Sequence, residues 1–223
     1  ISYLNAEEFA DLKREIFTHQ LYYFETNSPS PVIIDAGAHL GLATLYFKNL
    51  YPQAQILAFE PNPLLFPLLE KNIAQNHLEN VTLIQAALSK HNDKSTFYYD
   101  ATPWQWLSTG SLTQNAWNGK QKTLPVSVQS VRLDQYLSQY PQIDLLKLDI
   151  EGAEGAVLLS IRDYLPKIKE IIFEFHPTGN QKLAELLSFL TKKGFICTLT
   201  DRQGKKMKVY HYQELVIIHA QQK

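Results

Sequence analysis

Short apolar runs alternate with segments of helical periodicity from residue 32 onward, and this alternation constrains the fold more than any other feature. The first run is Val32–Ala36, and others follow at residues 55–60, 81–86, 143–149 and 170–175. Such alternation is typical of βαβ units that build a parallel sheet with helices on both faces. Strands buried on both faces read as continuous apolar runs, as these do. The sequence therefore predicts an α/β fold with three layers, αβα.

Both ends of the chain depart from this rhythm. Asn5 and Glu8 form a helix N-cap pair, and a polar break at residues 26–31 follows, so residues 1–30 are predicted to be an N-terminal helical appendage. The main domain is then 31–223, with an insertion near 100–124. The last two apolar runs, 195–199 and 215–220, flank a turn-like segment at 201–204 and are predicted to be antiparallel neighbours.

Composition excludes several classes of protein. Over 223 residues, 21 Lys and Arg face 22 Asp and Glu, and this near-neutral balance disfavours a large nucleic-acid footprint. The single cysteine, Cys197, excludes a disulfide framework and a cysteine-rich zinc site.

We find neither a signal peptide nor an apolar run of about 18 residues, so we expect no membrane partner and a cytoplasmic location. Ile1 in place of Met indicates a trimmed or excised segment, and one possible source is a domain of a larger synthase.

The loop after the first run contains two glycines in the sequence Asp35-Ala-Gly-Ala-His-Leu-Gly41. This pattern matches the dinucleotide fingerprint poorly, because His39 stands where a further glycine would let a pyrophosphate approach. Asp35 also suits a cationic group, such as the ammonium of an amino acid, better than a pyrophosphate. The alternative is an ordinary strand-to-helix turn that uses glycine.

Glu60 ends the second run, about 20 residues after the glycine loop. An acid at this point accepts hydrogen bonds from the hydroxyls of a ribose. A helix N-terminal acid favoured by the helix dipole is the other interpretation. Together with the loop, Glu60 predicts an adenosine-type ligand that carries a positively charged amino-acid end.

Three ionisable residues are expected to converge at the ends of two later strands. Asp149 ends one strand, and Glu174 and His176 end the next and point to the same side by strand periodicity. They could form a base site or a divalent-metal site with oxygen and nitrogen ligands. Both readings stay open from the residues alone.

At this point the chain resembles the FkbM-type S-adenosylmethionine-dependent methyltransferases over roughly residues 31–200. The resemblance rests on D-A-G-A-H-L-G, A-F-E-P-N-P, A-A-L-S, L-D-Q-Y-L and, most specifically, K-L-D-I-E-G-A-E. It implies the Rossmann-like class I fold, a seven-stranded, mostly parallel sheet that ends in an antiparallel hairpin. It also implies O-methylation of a hydroxyl on a polyketide, a peptide natural product or a sugar.

The resemblance further implies roles for particular residues. Asp35, Gly37, His39 and Gly41 would line the methionine and ribose side, and Asp149 would lie nearest the sulfonium. The remaining cofactor residues follow the second and third strands: Glu60 and Pro61 at the ribose hydroxyls, and Gln85 and Ala86 at the adenine.

Methyl transfer to a hydroxyl also requires removal of a proton. His176 is the predicted base, because an imidazole pKa starts near the working pH. In the alternative, a divalent ion held by Asp149, Glu174 and His176 acidifies the hydroxyl, as a looser resemblance to catechol-type methyltransferases suggests.

All three tryptophans, Trp104, Trp106 and Trp117, lie in the insertion together with Ser111. A long connection in a compact domain is usually a lid or a binding loop, and tryptophan faces offer a large contact area to an acceptor. These four residues are therefore predicted on the acceptor side, with a small satellite core as the alternative.

The predicted function is O-methylation of a small-molecule hydroxyl, with the acceptor either free or tethered to a carrier protein. Two other functions remain open, a nicotinamide-dependent oxidoreductase and a catalytically silent cofactor-binding domain of a larger synthase. The weak glycine fingerprint speaks against the oxidoreductase.

Overall fold

The computed structural model describes residues 1–100, 107–114, 123–177, 182–207 and 216–223. The described strands are β1 (Val32–Ala36), β2 (Gln55–Phe59), β3 (Val81–Ile84), β4 (Ala87–Leu88), β5 (Asp93–Asp100), β6 (Thr123–Val131), β7 (Ile143–Leu148), β8 (Ile168–Phe175), β9 (Phe195–Thr200) and β10 (Val216–Gln222). The described α-helices are α1 (Ala6–Lys13), α2 (Leu42–Leu50), α3 (Phe66–Gln75), α4 (Asp134–Leu137), α5 (Glu154–Ser160) and α6 (Leu183–Lys192). No described helix is long and apolar enough to cross a membrane.

The main sheet has seven strands in the order β3-β2-β1-β7-β8-β10-β9. Strands β3, β2, β1, β7 and β8 are parallel, and β10 pairs antiparallel with both β8 and β9. The predicted three-layer fold and its antiparallel last hairpin are thereby confirmed. The strand order reverses direction next to β1, and ligands of open α/β sheets bind beyond the carboxyl ends of the strands at such a point.

Neighbouring residues of each central strand supply the cores on opposite faces of this sheet. Ile33 packs with α2 and α3, whereas Ile34 packs with α5 and α6. Leu145 and Leu146 divide in the same way. This division follows from the two-residue period of a strand, and it explains why the buried strands are apolar without interruption.

A second sheet, of three strands in the order β4-β6-β5, lies between β3 and β7 in the sequence. The sequence predicted an insertion near 100–124 and no strands beside it. Strand β5 escapes pattern recognition because most of its residues are at least partly exposed, so it has no clear apolar alternation. Pro125 occurs in β6 beyond the short stretch that pairs with β4, so its missing N–H costs no ladder hydrogen bond.

The N-terminal segment packs against the main domain. The predicted cap is confirmed, since Oδ1 of Asn5 accepts hydrogen bonds from the backbone N–H groups of Glu7 and Glu8. After α1 and a π-helical turn at Arg14–Thr18, the side chains of Tyr22 and Phe24 are buried in the same core as α2. Residues 1–24 thereby contribute side chains to the carboxyl end of the sheet.

Candidate active site

Two adjoining clefts open beyond the carboxyl ends of β1, β2, β7 and β8. The empty volume is about 660 Å³ for the first cleft and about 1090 Å³ for the second, and both values include space that is open to solvent. The clefts share a seam of six residues, Leu12, Gly37, His39, Ser108, Asp149 and Glu151.

The loop after β1 lies against the end of β7 with no room for a side chain. A Cβ atom on Gly37 would lie 1.9 Å from the carbonyl oxygen of Asp149, and the φ of Gly37 is +80°. Only glycine satisfies both conditions at low cost. The next turn places His39 at a φ of +52°, from where its backbone N–H donates to Oε2 of Glu60 at 2.9 Å.

Glu60 lines the first cleft from the end of β2 and is 5% exposed. Its two oxygens accept backbone hydrogen bonds from His39 and from Asn62, the latter at 2.8 Å. Burial raises the pKa of Glu60 to about 7, although both hydrogen bonds lower it. Each carboxylate oxygen has a second lone pair, so the carboxylate can still accept from ligand hydroxyls.

A buried ion pair fixes the ends of β1 and β7 to each other. Nζ of Lys147 lies 3.2 Å from Oδ1 of Asp35, and Oδ2 of Asp35 accepts from the Thr44 hydroxyl at 2.7 Å. Lys147 also donates to the carbonyl oxygens of Ala36 and Gly37. Asp35 is fully buried and lines neither cleft, so its charge is directed at Lys147.

Asp149 lies at the seam and is held by the N-terminal segment. The Tyr22 hydroxyl donates to Oδ2 of Asp149 at 3.0 Å. Burial, followed by the nearby charge of Glu174, raises the pKa of Asp149, although Lys147 opposes this shift. The pKa of Tyr22 is raised well above 10 by burial and by Asp149, so the phenol stays protonated and remains a donor.

His176 is surrounded by carboxylates. Nδ1 lies 3.0 Å from Oε1 of Glu154, and Nε2 lies 3.2 Å from Oε2 of Glu151 and 3.5 Å from Oε1 of Glu174. Burial opposes a charge on the ring, but the carboxylates outweigh it and raise the pKa of His176 well above 6.5. The ring therefore carries a proton on both nitrogens at neutral pH when nothing else occupies Nε2.

An arginine from the turn after β9 neutralises Glu174. Nη2 of Arg202 lies 3.0 Å from Oε1 of Glu174, and Nη1 lies 3.5 Å from Oε1 of Glu15. Burial raises the pKa of Glu174, but His176 and Arg202 together bring it down to about 2. Glu174 is therefore ionised and a weak base.

The N-terminal helix and the second sheet meet at the seam. The buried Glu8 accepts a hydrogen bond from the backbone N–H of Ser108 at 2.8 Å, and its Oε1 lies 3.7 Å from Nε2 of His39. The Ser111 hydroxyl donates to the carbonyl oxygen of Glu151 at 2.6 Å. Burial lowers the pKa of His39 to about 3, so this ring is neutral.

A comparison with known families assigns this arrangement. The family described as "Methyltransferase FkbM domain" matches residues 35–197, which is more than half of the chain. The chain belongs to the FkbM methyltransferase family. It is therefore a methyltransferase, and both the family and the fold imply the use of S-adenosylmethionine.

Individual relatives agree with this assignment. The chain is 32% identical to methyltransferase sdnD of Sordaria araneosa, over 83% of this chain and 81% of that protein. It is 30% identical to 2-O-methyltransferase NoeI of Sinorhizobium fredii, over 70% and 67%. The solved structure of methyltransferase FkbM from Methylobacillus flagellatus superposes with a TM-score of 0.59 at 13% identity, over 90% of this chain and 47% of that one, and shows the shared fold.

The residues present fit S-adenosylmethionine. Glu60, at the end of β2, can accept ribose hydroxyls, and the segment at Ala86 adds apolar lining to the same cleft. The carboxylates of Asp149, Glu151 and Glu174 line the second cleft and suit a ligand with a sulfonium and an ammonium group.

The structure separates the predicted cofactor and catalytic residues into two groups. Those lining a cleft are Gly37, His39, Glu60, Pro61, Ala86, Asp149 and Glu174. Those lining neither of the two clefts are Asp35, Gly41, Gln85 and His176. Gly41 supports the start of α2, where a Cβ atom would lie 2.8 Å from Cδ1 of Leu69, and Gln85 is exposed to solvent.

The predicted acceptor residues are only partly described. Trp104, Trp106 and Trp117 lie outside the described residues. Ser111 is buried and lines neither cleft, because its hydroxyl supports the backbone of Glu151.

The predicted metal set included Glu174, and the structure favours a different carboxylate. Among the described residues, ligand atoms of Asp149, Glu151 and His176 lie within 4.8 Å of one another. Glu174 instead pairs with Arg202. Strand periodicity could not have indicated Glu151, because β7 ends at Leu148 and Glu151 lies in the turn that follows, with a φ of +56°.

Sequence reasoning also missed the contacts that Glu8, Glu15, Tyr22 and Arg202 make at the site, although Glu8 was identified as half of the cap pair. No local motif indicates these contacts, because each residue acts on a partner far away in the chain: Ser108, Arg202, Asp149 and Glu174, respectively.

Proposed function

We propose that the chain transfers the methyl group of S-adenosylmethionine to a hydroxyl of a small molecule. The observation that carries the proposal is the seam, where a cleft suited to adenosine meets an acidic cleft at Gly37 and Asp149. The relative NoeI is a 2-O-methyltransferase by name, which supports a hydroxyl as the acceptor group.

In this proposal the adenosine occupies the first cleft. Glu60 accepts the ribose hydroxyls, with Pro61 beside it, and Ala86 and Ala87 border the adenine. The methionine end passes Gly37 and His39 towards the second cleft, where Asp149 lies nearest the sulfonium. Bound S-adenosylmethionine supplies an electrophilic methyl group at this point.

The acceptor occupies the second cleft. Tyr22 and the ion pair of Arg202 with Glu174 form part of its wall and keep Asp149 and Glu174 in place. The proposed acceptor is a polyketide, a peptide intermediate or a sugar, either free or tethered to a carrier protein. Trp104, Trp106 and Trp117 remain predicted acceptor contacts.

The hydroxyl proton passes to Asp149 in this proposal. The raised pKa of Asp149 makes it a stronger base than Glu174, and it lines both clefts, whereas His176 lies behind the wall. A protonated imidazole also has no lone pair to accept a further proton. His176 and Glu174 therefore set the charge around Asp149 and act as positioning residues.

A turnover assay with a panel of hydroxyl acceptors tests the proposal. The chain is incubated with S-adenosylmethionine carrying a labelled methyl group and with sugars, polyketide alcohols and hydroxylated peptides, each offered free and on a carrier protein. Label is expected on an oxygen of one class, together with S-adenosylhomocysteine. Asp149→Asn is expected to lower kcat by about 100-fold or more, since a placed base contributes about 10²–10⁴-fold.

The same assay separates the alternatives. Label on nitrogen or carbon would overturn the O-methylation. Binding of S-adenosylhomocysteine without label on any of the hydroxyl acceptors would also contradict the proposal.

A further inference from the structure

We infer that Asp149, Glu151 and His176 form a binding site for a divalent cation at the inner end of the second cleft. One ligand atom from each lies within 4.8 Å of the others, which is the spacing of atoms around a single ion. Two of the three, Asp149 and Glu151, line both clefts. The inference that a cation binds depends only on these three residues, whereas its role in methyl transfer rests on the proposed function.

The environment of His176 is that of a metal-ligating histidine. Nδ1 donates to Oε1 of Glu154, which leaves Nε2 directed at Glu151. Glu154 is fully buried and also accepts hydrogen bonds from the backbone N–H groups of Ile150 and Gly152. Ligating histidines almost always donate their other ring N–H to such a carboxylate, which fixes the ring. Glu154 thus orients the ring and the Glu151 loop at once.

Glu151 supplies a second and independent observation. Its side chain is nine-tenths buried, and Oε2 has no hydrogen-bond partner among the described residues, although it lies 3.2 Å from Nε2 of His176. A buried carboxylate oxygen left without a hydrogen bond is costly. A cation at this point would be ligated by Oε2 of Glu151 and would replace the proton on Nε2 of His176.

The neighbouring charges are arranged to leave these three residues for the cation. Arg202 pairs with Oε1 of Glu174, which lies 3.5 Å from Nε2 of His176, so the charge of this carboxylate is already balanced by a cation. The Tyr22 hydroxyl holds Oδ2 of Asp149, and the Ser111 hydroxyl holds the backbone carbonyl of Glu151. Two carboxylates and one imidazole suit a divalent ion such as Mn²⁺, because carboxylate oxygens favour Mg²⁺ and Mn²⁺ and imidazole favours the transition metals.

A cation here would lower the pKa of an acceptor hydroxyl that reaches it. In the reaction the bond between sulfur and methyl breaks and a bond between oxygen and methyl forms. While the cation is bound, Asp149 and Glu151 are its ligands, so the proton of the acidified hydroxyl leaves to water. The products are the methyl ether, S-adenosylhomocysteine and one proton, with no change of oxidation state.

Direct metal binding tests the site without relying on activity. The chain is stripped with a chelator and titrated with Mn²⁺, with free Mn²⁺ followed by electron paramagnetic resonance. One bound ion per chain is expected. Glu151→Gln is expected to weaken binding by at least 10-fold. Glu170→Gln is the matched control, because Glu170 is also a buried carboxylate beside a histidine, His219, but lies outside the proposed site. This variant should bind Mn²⁺ like the wild type.

Asp149→Asn serves as a second variant, and circular dichroism with thermal unfolding reports whether each variant is folded. Absence of Mn²⁺ binding by the stripped wild type at millimolar concentration would overturn the site, as would wild-type affinity in both Glu151→Gln and Asp149→Asn. Methyl transfer that survives exhaustive chelation would overturn the role of the cation and leave the proposed function intact. Mn²⁺ binding by a chain that methylates no hydroxyl would support the site and overturn the proposed function.

Discussion

The first and second clefts meet at Gly37, but their walls carry very different charge. Apart from Asp149 and Glu151, which line both clefts, the first cleft has Glu60 as its one acid, and the rest of its wall is mainly apolar, with Phe97 and Leu112 on one side. The second contains the acidic groups of Glu15 and Glu174 together with Asp11, Asp149 and Glu151, against the cations Lys147 and Arg202. A cleft for a nucleoside needs shape and one acid, whereas the methyl-transfer side must hold positive charge and move a proton. The difference indicates that donor affinity and acceptor chemistry can be changed separately.

The largest effect is expected from a substitution of Gly37, in the seam that joins the clefts. Gly37→Ala places a Cβ atom 1.9 Å from the Asp149 carbonyl oxygen at a φ of +80°, and should cost about 3–5 kcal/mol of unfolding free energy as backbone strain and overpacking add. Gly194→Ala is the control, because Gly194 also has a positive φ but no heavy atom within 4 Å of the added Cβ, and should cost about 1–2 kcal/mol. Equal losses in chemical denaturation would show that the contact with Asp149 does not matter.

The next effect concerns the ion pair behind both clefts. Lys147→Met leaves Asp35 charged, fully buried and without its cation, and should cost about 3–5 kcal/mol of unfolding free energy. Adding Asp35→Asn should recover much of this loss. Lys169→Met, which breaks a pair between a 41% exposed lysine side chain and Asp144, should cost about 1 kcal/mol or less. A Lys147 variant as stable as the Lys169 variant would contradict this account.

A smaller effect should fall on the first cleft alone. Glu60→Gln is expected to weaken S-adenosylhomocysteine binding by about 10–100-fold, since hydrogen bonds to charged groups contribute about 1.5–3 kcal/mol. Calorimetry gives the affinity, and Glu70→Gln on the exposed face of α3 is the control. Acceptor KM should change little, and a large change would mean that the clefts are not separable.

The same residue predicts a pH dependence of donor binding. The pKa of Glu60 is raised to about 7, so the carboxylate becomes protonated as pH falls through 7, and donor affinity should fall with it. The free energy of unfolding changes in the opposite direction, because the pKa of Glu60 is higher in the folded chain than in the unfolded chain. The protonated carboxyl therefore contributes stability that is fully present below the unfolded pKa of about 4.5 and is lost as pH rises through the folded pKa of about 7. Glu60→Gln should flatten both profiles between pH 5 and 8, and a wild-type profile in that variant would assign the titration to another group.

The smallest expected effect lies where the N-terminal helix closes over the seam. Glu8→Ala leaves the part-buried N–H of Ser108 without this acceptor and should cost about 1 kcal/mol in thermal unfolding. Glu7→Ala, at the neighbouring exposed position, should be nearly neutral. If the helix serves both clefts, Glu8→Ala should weaken donor binding and raise acceptor KM by similar factors, and an effect on only one would assign the helix to that cleft.

Much of the scaffold was predictable because it depends on local pattern. The seven strands of the main sheet, the antiparallel last hairpin and the N-cap at Asn5 all follow from periodicity and turn chemistry. The three-stranded sheet was not, since β5 is largely exposed and β4 has only two residues. An exposed strand carries little apolar alternation, and its pairing is decided by the strand beside it.

The sequence by itself determined the family and the residues that end the strands, namely Gly37, Glu60 and Asp149. A strand has only one carboxyl end, so a residue placed there reaches the ligand edge in any packing of this fold. The tertiary structure alone decided which charges pair. Asp35 pairs with Lys147, Arg202 pairs with Glu174, and Tyr22 binds Asp149. Such partners are chosen by burial, because a charge removed from water must find an opposite charge within a few ångströms, wherever in the chain that residue lies.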